Sequence, residues 1–508
     1  MRRYLLLGLT LFLLFPLKAQ VEKEGDFEKM KKESQDMFEQ FKEQANKEFE
    51  DFRKKANDEY ARFMEEAWTS YAVKDAEKIP MEPKPVITYE HEARVTNTMI
   101  EYDVIEDVPT NRLPNQRLPL ASISNEDLEL VGQPEPLDPI MATFDASATM
   151  QSLLLYGSAI KVRVEPEPKK PIKLKNLTEK SIARMWKKLS CPYYDNIVAE
   201  CLRQRKACNL CDWAYVKLTE KMANKYFGEG TNESIVLQMY ILVQSGYQMR
   251  IAMAENCLTL LMGSNEKIYG YKYCEMEGIQ YYIIDRSLED KSMLIFDRAF
   301  PQEKSLSLAL VQPKFSIERT EKQTFSAQDY PEITVTVETN KNLLDFYNDY
   351  PVSGQWNYYS HASLSECVKR DLYPVLQKAI EGKKEVEAVN MLLNFVQTGF
   401  GYSSDLDQFG YERPLYPDET FFYPYCDCED RSILFSCLVR ELVGLDVVLL
   451  SYPSHVTTAV HFNEPVKGDY LLVGDEKYVI CEPTCLAGAP VGFSADKFKE
   501  KKPIVMRL

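Results

Sequence analysis

The chain has 508 residues, 12 cysteines and a formal charge of -16, with 77 acidic against 61 basic side chains. That length exceeds what one hydrophobic core usually serves, so two or three domains are expected, and the 45% hydrophobic content argues for folded rather than disordered chain. The acidic balance leaves no basic surface to neutralise phosphates and excludes nucleic acid as the expected partner, so the charge is read as serving solubility.

The first residues, "MRRYLLLGLTLFLLFPLKAQ", set two arginines ahead of an apolar stretch from Tyr4 to Phe15, followed by Pro16 and the small residue Ala19. A stretch of that length reaches only about 18 Å as a helix, short of a hydrocarbon layer of about 30 Å, so residues 1–19 read as a cleavable secretory signal. The expected location is secreted or periplasmic. No cysteine occurs before Cys191, which argues against a lipoprotein anchor, and no later run is long and apolar enough to span a membrane.

From Asp26 the sequence repeats in elevens: "DFEKMKKESQD", "MFEQFKEQANK", "EFEDFRKKAND", "EYARFMEEAWT". Phe27, Phe38, Phe49 and Tyr60 share one position, and Met30, Phe41, Phe52 and Phe63 another. Eleven residues make three turns, so residues 20–75 predict a long amphipathic, coiled-coil-like helix with a nearly straight aromatic stripe. Its polar face mixes both signs of charge, unlike the basic face of a membrane-surface helix, so the stripe is expected to pack on the body of the protein or to self-associate. Prolines are scattered through residues 76–170, which read as extended segments, loops and edge strands without chemistry of their own.

Helical periodicity returns near Leu177 in "LTEKSIARMWKKLS" and continues through "CDWAYVKLTEKMANKYF" and "SIVLQMYILVQSGY". Cys201, Cys208 and Cys211 lie here without a fourth ligand or a nearby histidine, so buried or bridged structural cysteines are expected rather than zinc. Strand-like runs follow in "YKYCEMEGIQYYIID" and "SLSLALVQPKFSI".

A second cycle opens near Asn340. Helical "VNMLLNFVQTGFGY" leads to a loop, a further helix and four strand candidates, "DVVLLSYP", "HVTTAVHF", "DYLLVGD" and "KYVICEPT". Helices leading into an antiparallel meander predict an α+β domain, and two such cycles suggest a duplication. In "YPYCDCEDRSILFSCLVRELVGL" the apolar residues Ile433, Leu434, Cys437, Leu438 and Leu442 recur at helical spacing up to Gly444, which places Cys428 at the helix start. Unpaired N–H groups and the positive dipole end favour a thiolate there, Glu429 and Asp430 oppose it, and a base is therefore needed. Of four histidines, His91, His361, His455 and His461, only His455 opens a strand close downstream. Glu482 closes another strand, so thiol, imidazole and carboxylate can meet beside the helix. Cys426 is the rival nucleophile but stands outside the helix turn.

"CDCEDRSILFSCLVRELVGL", "SHVTTAVHF" and "KYVICEPT" in this order resemble the transglutaminase-like superfamily over roughly Glu385 to Ala487. The resemblance implies a papain-like fold, a helix carrying the cysteine packed on an antiparallel sheet, with Cys428 as nucleophile, His455 as general base and Glu482 as orienting acid. The family's usual acid is aspartate; glutamate is one methylene longer. Cys481 and Cys485 flank it, and their pairing, with each other or with Cys426, is open. In the first cycle Asn232 and Glu233 align with Cys428 and Glu429, and no histidine occurs from Glu92 to Ser360, so residues 171–335 resemble a degenerate module without Cys/His chemistry. Residues 336–508 form the complete one. The implied activity is acyl transfer or hydrolysis at peptide or glutamine amides through a thioester, with a protein or peptide substrate and no cofactor or metal. The alternative is a non-catalytic exported scaffold built on the same modules.

Overall fold

In the computed structural model, residues 51–79, 95–107 and 134–508 are described, save 138, 141, 167–171, 256 and 355, together with isolated positions 37, 44, 47, 48 and 50. The expected signal at residues 1–19 and, save those five isolated positions, the eleven-residue repeat up to residue 50 therefore lie outside the described residues, as does His91. By internal contacts the chain divides into residues 1–55 and Ala56–Leu508, and both expected modules fall within the second unit.

The repeat helix ends at Met64, and Trp68–Ala72, expected as more helix, is a strand. Its two aromatic positions also part company. Tyr60 is buried against Trp186, Phe296 and Phe300 at ring separations of 5.0, 4.9 and 5.2 Å, while Phe63 is 40% exposed. Asn57 adds a buried amide network, accepting from Trp186 Nε1 and from Gln244 Nε2, both at 3.0 Å. These bonds satisfy polar groups that would otherwise be costly inside an apolar contact.

Beyond it the unit is mixed α+β. Helices Glu179–Leu189, Pro192–Ala207, Asp212–Phe227 and Asn232–Gln244 precede one six-stranded sheet. Helices Lys341–Asp349, Glu366–Ile380, Glu385–Thr398 and Cys428–Leu438 precede a second. The first sheet runs Trp68–Ala72, Ser292–Phe296, Met249–Met253, Leu258–Ser264, Ile279–Ile283, Tyr273–Met276, antiparallel throughout. The second runs Val104–Asp107, Ile504–Arg507, Val447–Tyr452, His455–His461, Glu476–Cys481, Tyr470–Val473, with only its first pair parallel. Counted from the helix that leads in, both sheets have one order: an upstream strand, then the fifth, first, second, fourth and third strands.

Neither sheet is the simple meander expected from the sequence. Tyr470–Val473 follows His455–His461 along the chain but lies at the edge, and Glu476–Cys481 takes the place beside it. That exchange brings the histidine and glutamate strands together. The run at 305–317 is not a strand, although Leu306, Leu308 and Leu310 are buried in alternation. Its backbone is satisfied piecemeal: Leu306 N–H donates to the Gly263 carbonyl at 3.0 Å, but Ser307 N–H donates to Asp212 Oδ2 at 2.9 Å and Leu308 N–H to Glu266 Oε2 at 3.2 Å. Period-2 burial is a property of extended chain, and a sheet also needs a neighbouring backbone.

Candidate active site

The helix Cys428–Leu438 begins where the sequence places it, with Asp427 in extended conformation and Asp430 accepting the Asp427 N–H at 3.1 Å. The other Asp430 oxygen accepts Leu415 N–H at 2.8 Å, which draws the preceding loop onto the helix start. The last turn widens into a π-helical stretch, Val439–Val443, and Gly444 ends it at φ +78°, a left-handed conformation that glycine tolerates best. The apolar stripe is only part of this helix's packing: its polar residues are buried too. Arg431 donates to the carbonyls of Gln397 and Phe400, both at 2.8 Å, so a buried cation meets the negative end of helix Glu385–Thr398. Burial of the guanidinium is tolerable because these carbonyls replace lost water.

The helix packs on the strand His455–His461. Ser432, one turn after Cys428, shares its single hydroxyl hydrogen between the Cys428 carbonyl at 2.7 Å and the Val456 carbonyl at 3.1 Å. The turn bearing the thiol is thereby bonded to the residue next to His455. At the start of that strand, His455 Nε2 and Glu482 Oε2 are 2.8 Å apart. Glu482 Oε1 accepts Thr484 N–H at 3.0 Å, which fixes the carboxylate plane. An ionised carboxylate only accepts, so Nε2 carries hydrogen and Nδ1 becomes the nitrogen able to take a proton. Phe498, on the short helix Asp496–Lys499, stacks on the imidazole at 4.6 Å and 12° and limits its rotation. His461, at the far end of the strand, is turned to the Lys477 carbonyl at 3.1 Å, and His361 lies at the end of helix Trp356–His361.

All three candidate residues are closed off from solvent: Cys428 is 0% exposed, His455 2% and Glu482 2%. Cys428 Sγ donates to Glu429 Oε2 at 3.2 Å, a bond that belongs to the thiol rather than the thiolate. The surroundings are more acidic than the sequence alone suggests. Asp427, Cys428 and Glu429 form one buried group with ligating atoms within 4.8 Å of one another; Asp405, Asp427 and Asp430 form a second, and Asp405, Glu412 and Glu429 a third. Asp405 opens the short helix Asp405–Phe409 and Glu412 follows it, both far from any motif spacing, so no local signal could have found them.

All twelve cysteines stand outside disulfides. Cys426 lies on the two-residue strand paired with Gly401–Tyr402, its Sγ 3.7 Å from the Gly401 carbonyl, and burial pushes it up to about 11. Burial likewise raises Cys485 to about 12 and Cys481 well above the ordinary thiol range. In the first module Cys201 and Cys211 are fully buried, and burial pushes Cys211 up to about 12.

The first sheet allows a position-by-position comparison. Three residues into the second strand, Leu261 pairs with Ile283 as Thr458 pairs with Cys481. Leu258 and Ile284 therefore occupy the places of His455 and Glu482. Asn232 opens its helix as Cys428 opens the other, and its Oδ1 accepts the Leu258 N–H at 2.8 Å. A neutral amide capping a backbone group stands where the second sheet's helix begins with a thiol. No family model matches the chain, and neither a curated protein nor a solved structure matches it.

Proposed function

We propose that this protein is an exported transglutaminase-like cysteine enzyme acting on peptide or glutamine amides, its two α+β modules arising by duplication and only the second keeping the chemistry. The observation that carries the reading is the buried His455–Glu482 pair at 2.8 Å, on a strand bonded through Val456 to the helix turn that presents Cys428. A helix packed on an antiparallel sheet, and one strand order in both modules, support the papain-like fold and the duplication.

In the proposed reaction Nδ1 of His455 takes the Sγ proton as sulfur bonds to the amide carbonyl carbon. Backbone N–H groups at the helix start face the oxyanion. The imidazolium returns its proton to the leaving nitrogen as the C–N bond breaks, giving an amine and a thioester. Water or a second amine then attacks the thioester and regenerates the thiol. Glu482 holds the imidazole in the tautomer this requires.

The complete burial of all three groups favours a second reading, a non-catalytic scaffold in which they only pack. An amine-incorporation and peptide-cleavage screen separates the two. The enzyme reading expects turnover in wild type, abolished by Cys428→Ser and cut by about 100-fold or more in His455→Ala. Alkylation of Cys428 no faster than a free model thiol, unchanged by His455→Ala, together with an empty screen, leaves the scaffold.

A further inference from the structure

The Glu482 carboxylate is aimed by a loop, and that loop is not held by its own sheet alone. Glu482 follows the strand Glu476–Cys481, and the chain then runs through Thr484, Cys485 and Gly488 to Ala489 without forming another strand. Gly488, at φ +77°, turns it back over the helix Glu385–Thr398; a Cβ there would come within 3.1 Å of Asn394 Nδ2. The turn presents two carbonyls and one N–H to a single side chain. Gln397 Nε2 donates to the Glu482 carbonyl at 2.8 Å and to the Ala489 carbonyl at 3.0 Å, while its Oε1 accepts Ala489 N–H at 3.1 Å. The amide is 1% exposed and uses both donors and its acceptor on this loop.

The backbone of Gln397 is itself anchored, since its carbonyl accepts from Arg431, three residues past Cys428 on the nucleophile's helix. One residue thus links the thiol's helix to the acid's loop: its carbonyl is held by the first and its side chain grips the second. Three bonds across such a short loop fix the Glu482 backbone, and the carboxylate has few rotatable bonds left with which to miss the imidazole.

We infer that Gln397 is the positioning residue of the site: its amide holds the Glu482 loop so that the carboxylate meets His455 Nε2. The inference deepens the enzyme reading and rests on it for its catalytic meaning, but its structural content can be tested separately. Gln397→Met keeps the shape of the side chain and removes all three bonds. Thr398→Val, at the next position, removes the hydroxyl that accepts Gln328 N–H at 2.9 Å and donates to the Asn394 carbonyl at 2.7 Å, and leaves the three Gln397 bonds to the loop in place. With only four histidines in the chain, the His455 Nε2–H proton can be observed by imidazole NMR and identified by its loss in His455→Ala.

The expected result is a downfield, slowly exchanging Nε2–H signal in wild type and in Thr398→Val, lost or broadened in Gln397→Met as in Glu482→Gln. Under the enzyme reading, alkylation of Cys428 at neutral pH also slows by about tenfold or more in Gln397→Met. A signal unchanged in Gln397→Met overturns the inference, as does equal loss in Thr398→Val, or absence of the signal in wild type. If His455→Ala leaves Cys428 alkylation untouched, the enzyme reading fails while the imidazole signal still decides the role of Gln397.

Discussion

Where the helix Cys428–Leu438 meets its sheet, Asp427, Glu429, Asp430, Arg431, Ser432 and Ser436 are all buried. Where the helix Asn232–Gln244 meets the other, the interior side chains are chiefly Val236, Leu237, Met239, Tyr240, Ile241 and Leu242. The same strand order supports both junctions, so topology does not explain the difference. An apolar junction stabilises by burial alone, at roughly 25 cal/mol per Å² of apolar surface. A polar one must first offset the desolvation of every group it encloses, and does so only while each partner is in place. Stability in the second module should therefore be brittle at single polar positions, and robust where a site group only fills space.

The largest effect is expected at Lys369, whose Nζ lies 2.6 Å from Glu441 Oε2 inside the widened turn that ends the nucleophile's helix. Although burial works against ionisation, Lys369 holds the Glu441 carboxyl below its ordinary range. Lys369→Met strands that charge and should cost about 3–5 kcal/mol in denaturant unfolding. Next, Asn232→Ala should cost about 1–3 kcal/mol, because the buried Leu258 N–H loses its acceptor. Cys428→Ala should cost less than half as much; the reverse ranking breaks the comparison between modules.

Asp418 gives a pH signature. Burial is the main cause that raises its carboxyl from 3.8 to about 6, against the bonds it accepts from Ser365. Because the folded value is the higher one, its contribution to stability is complete below about pH 4 and is lost as pH rises through about 6. Melting curves should show a shallower dependence between those limits in Asp418→Asn than in wild type, though at lower absolute stability; parallel curves would remove Asp418 from the account. The smallest effect concerns Glu429, which accepts the thiol hydrogen of Cys428. Glu429→Gln removes a negative charge beside the sulfur and should speed its alkylation severalfold below pH 8. A slower rate would mean that Glu429 assists the sulfur instead.

Much of this is visible in the sequence where the signal is local. Helical spacing up to Gly444 places Cys428 at the first position of its helix, and apolar runs mark the strands that carry His455 and Glu482. What escapes is set by pairing at a distance. The exchange of two strands in the sheet order leaves no trace in the sequence of either, because Leu471, Leu472 and Val473 read as an apolar run like Tyr478, Val479 and Ile480 although the edge strand leaves Leu472 41% exposed. Residues 305–317 show the converse: a strand pattern whose N–H groups go partly to side-chain acceptors from Asp212 and Glu266 and never to a continuous strand partner. Phe498 and Gln397 come to the site from a helix after the motifs and a helix before them, so only the folded chain brings them to it.

The second sheet seats Ile504–Arg507 between Val447–Tyr452 and Val104–Asp107, and Lys499 Nζ reaches Thr96 Oγ1, 403 residues away along the chain. A ribosome must therefore finish nearly the whole unit before this sheet can close, and contacts of such sequence separation form slowly. The first sheet needs nothing beyond Phe296 and can mature early. The His455 imidazole thus gains its Phe498 stacking partner late in the life of a nascent chain, after the strand that carries it has already been made.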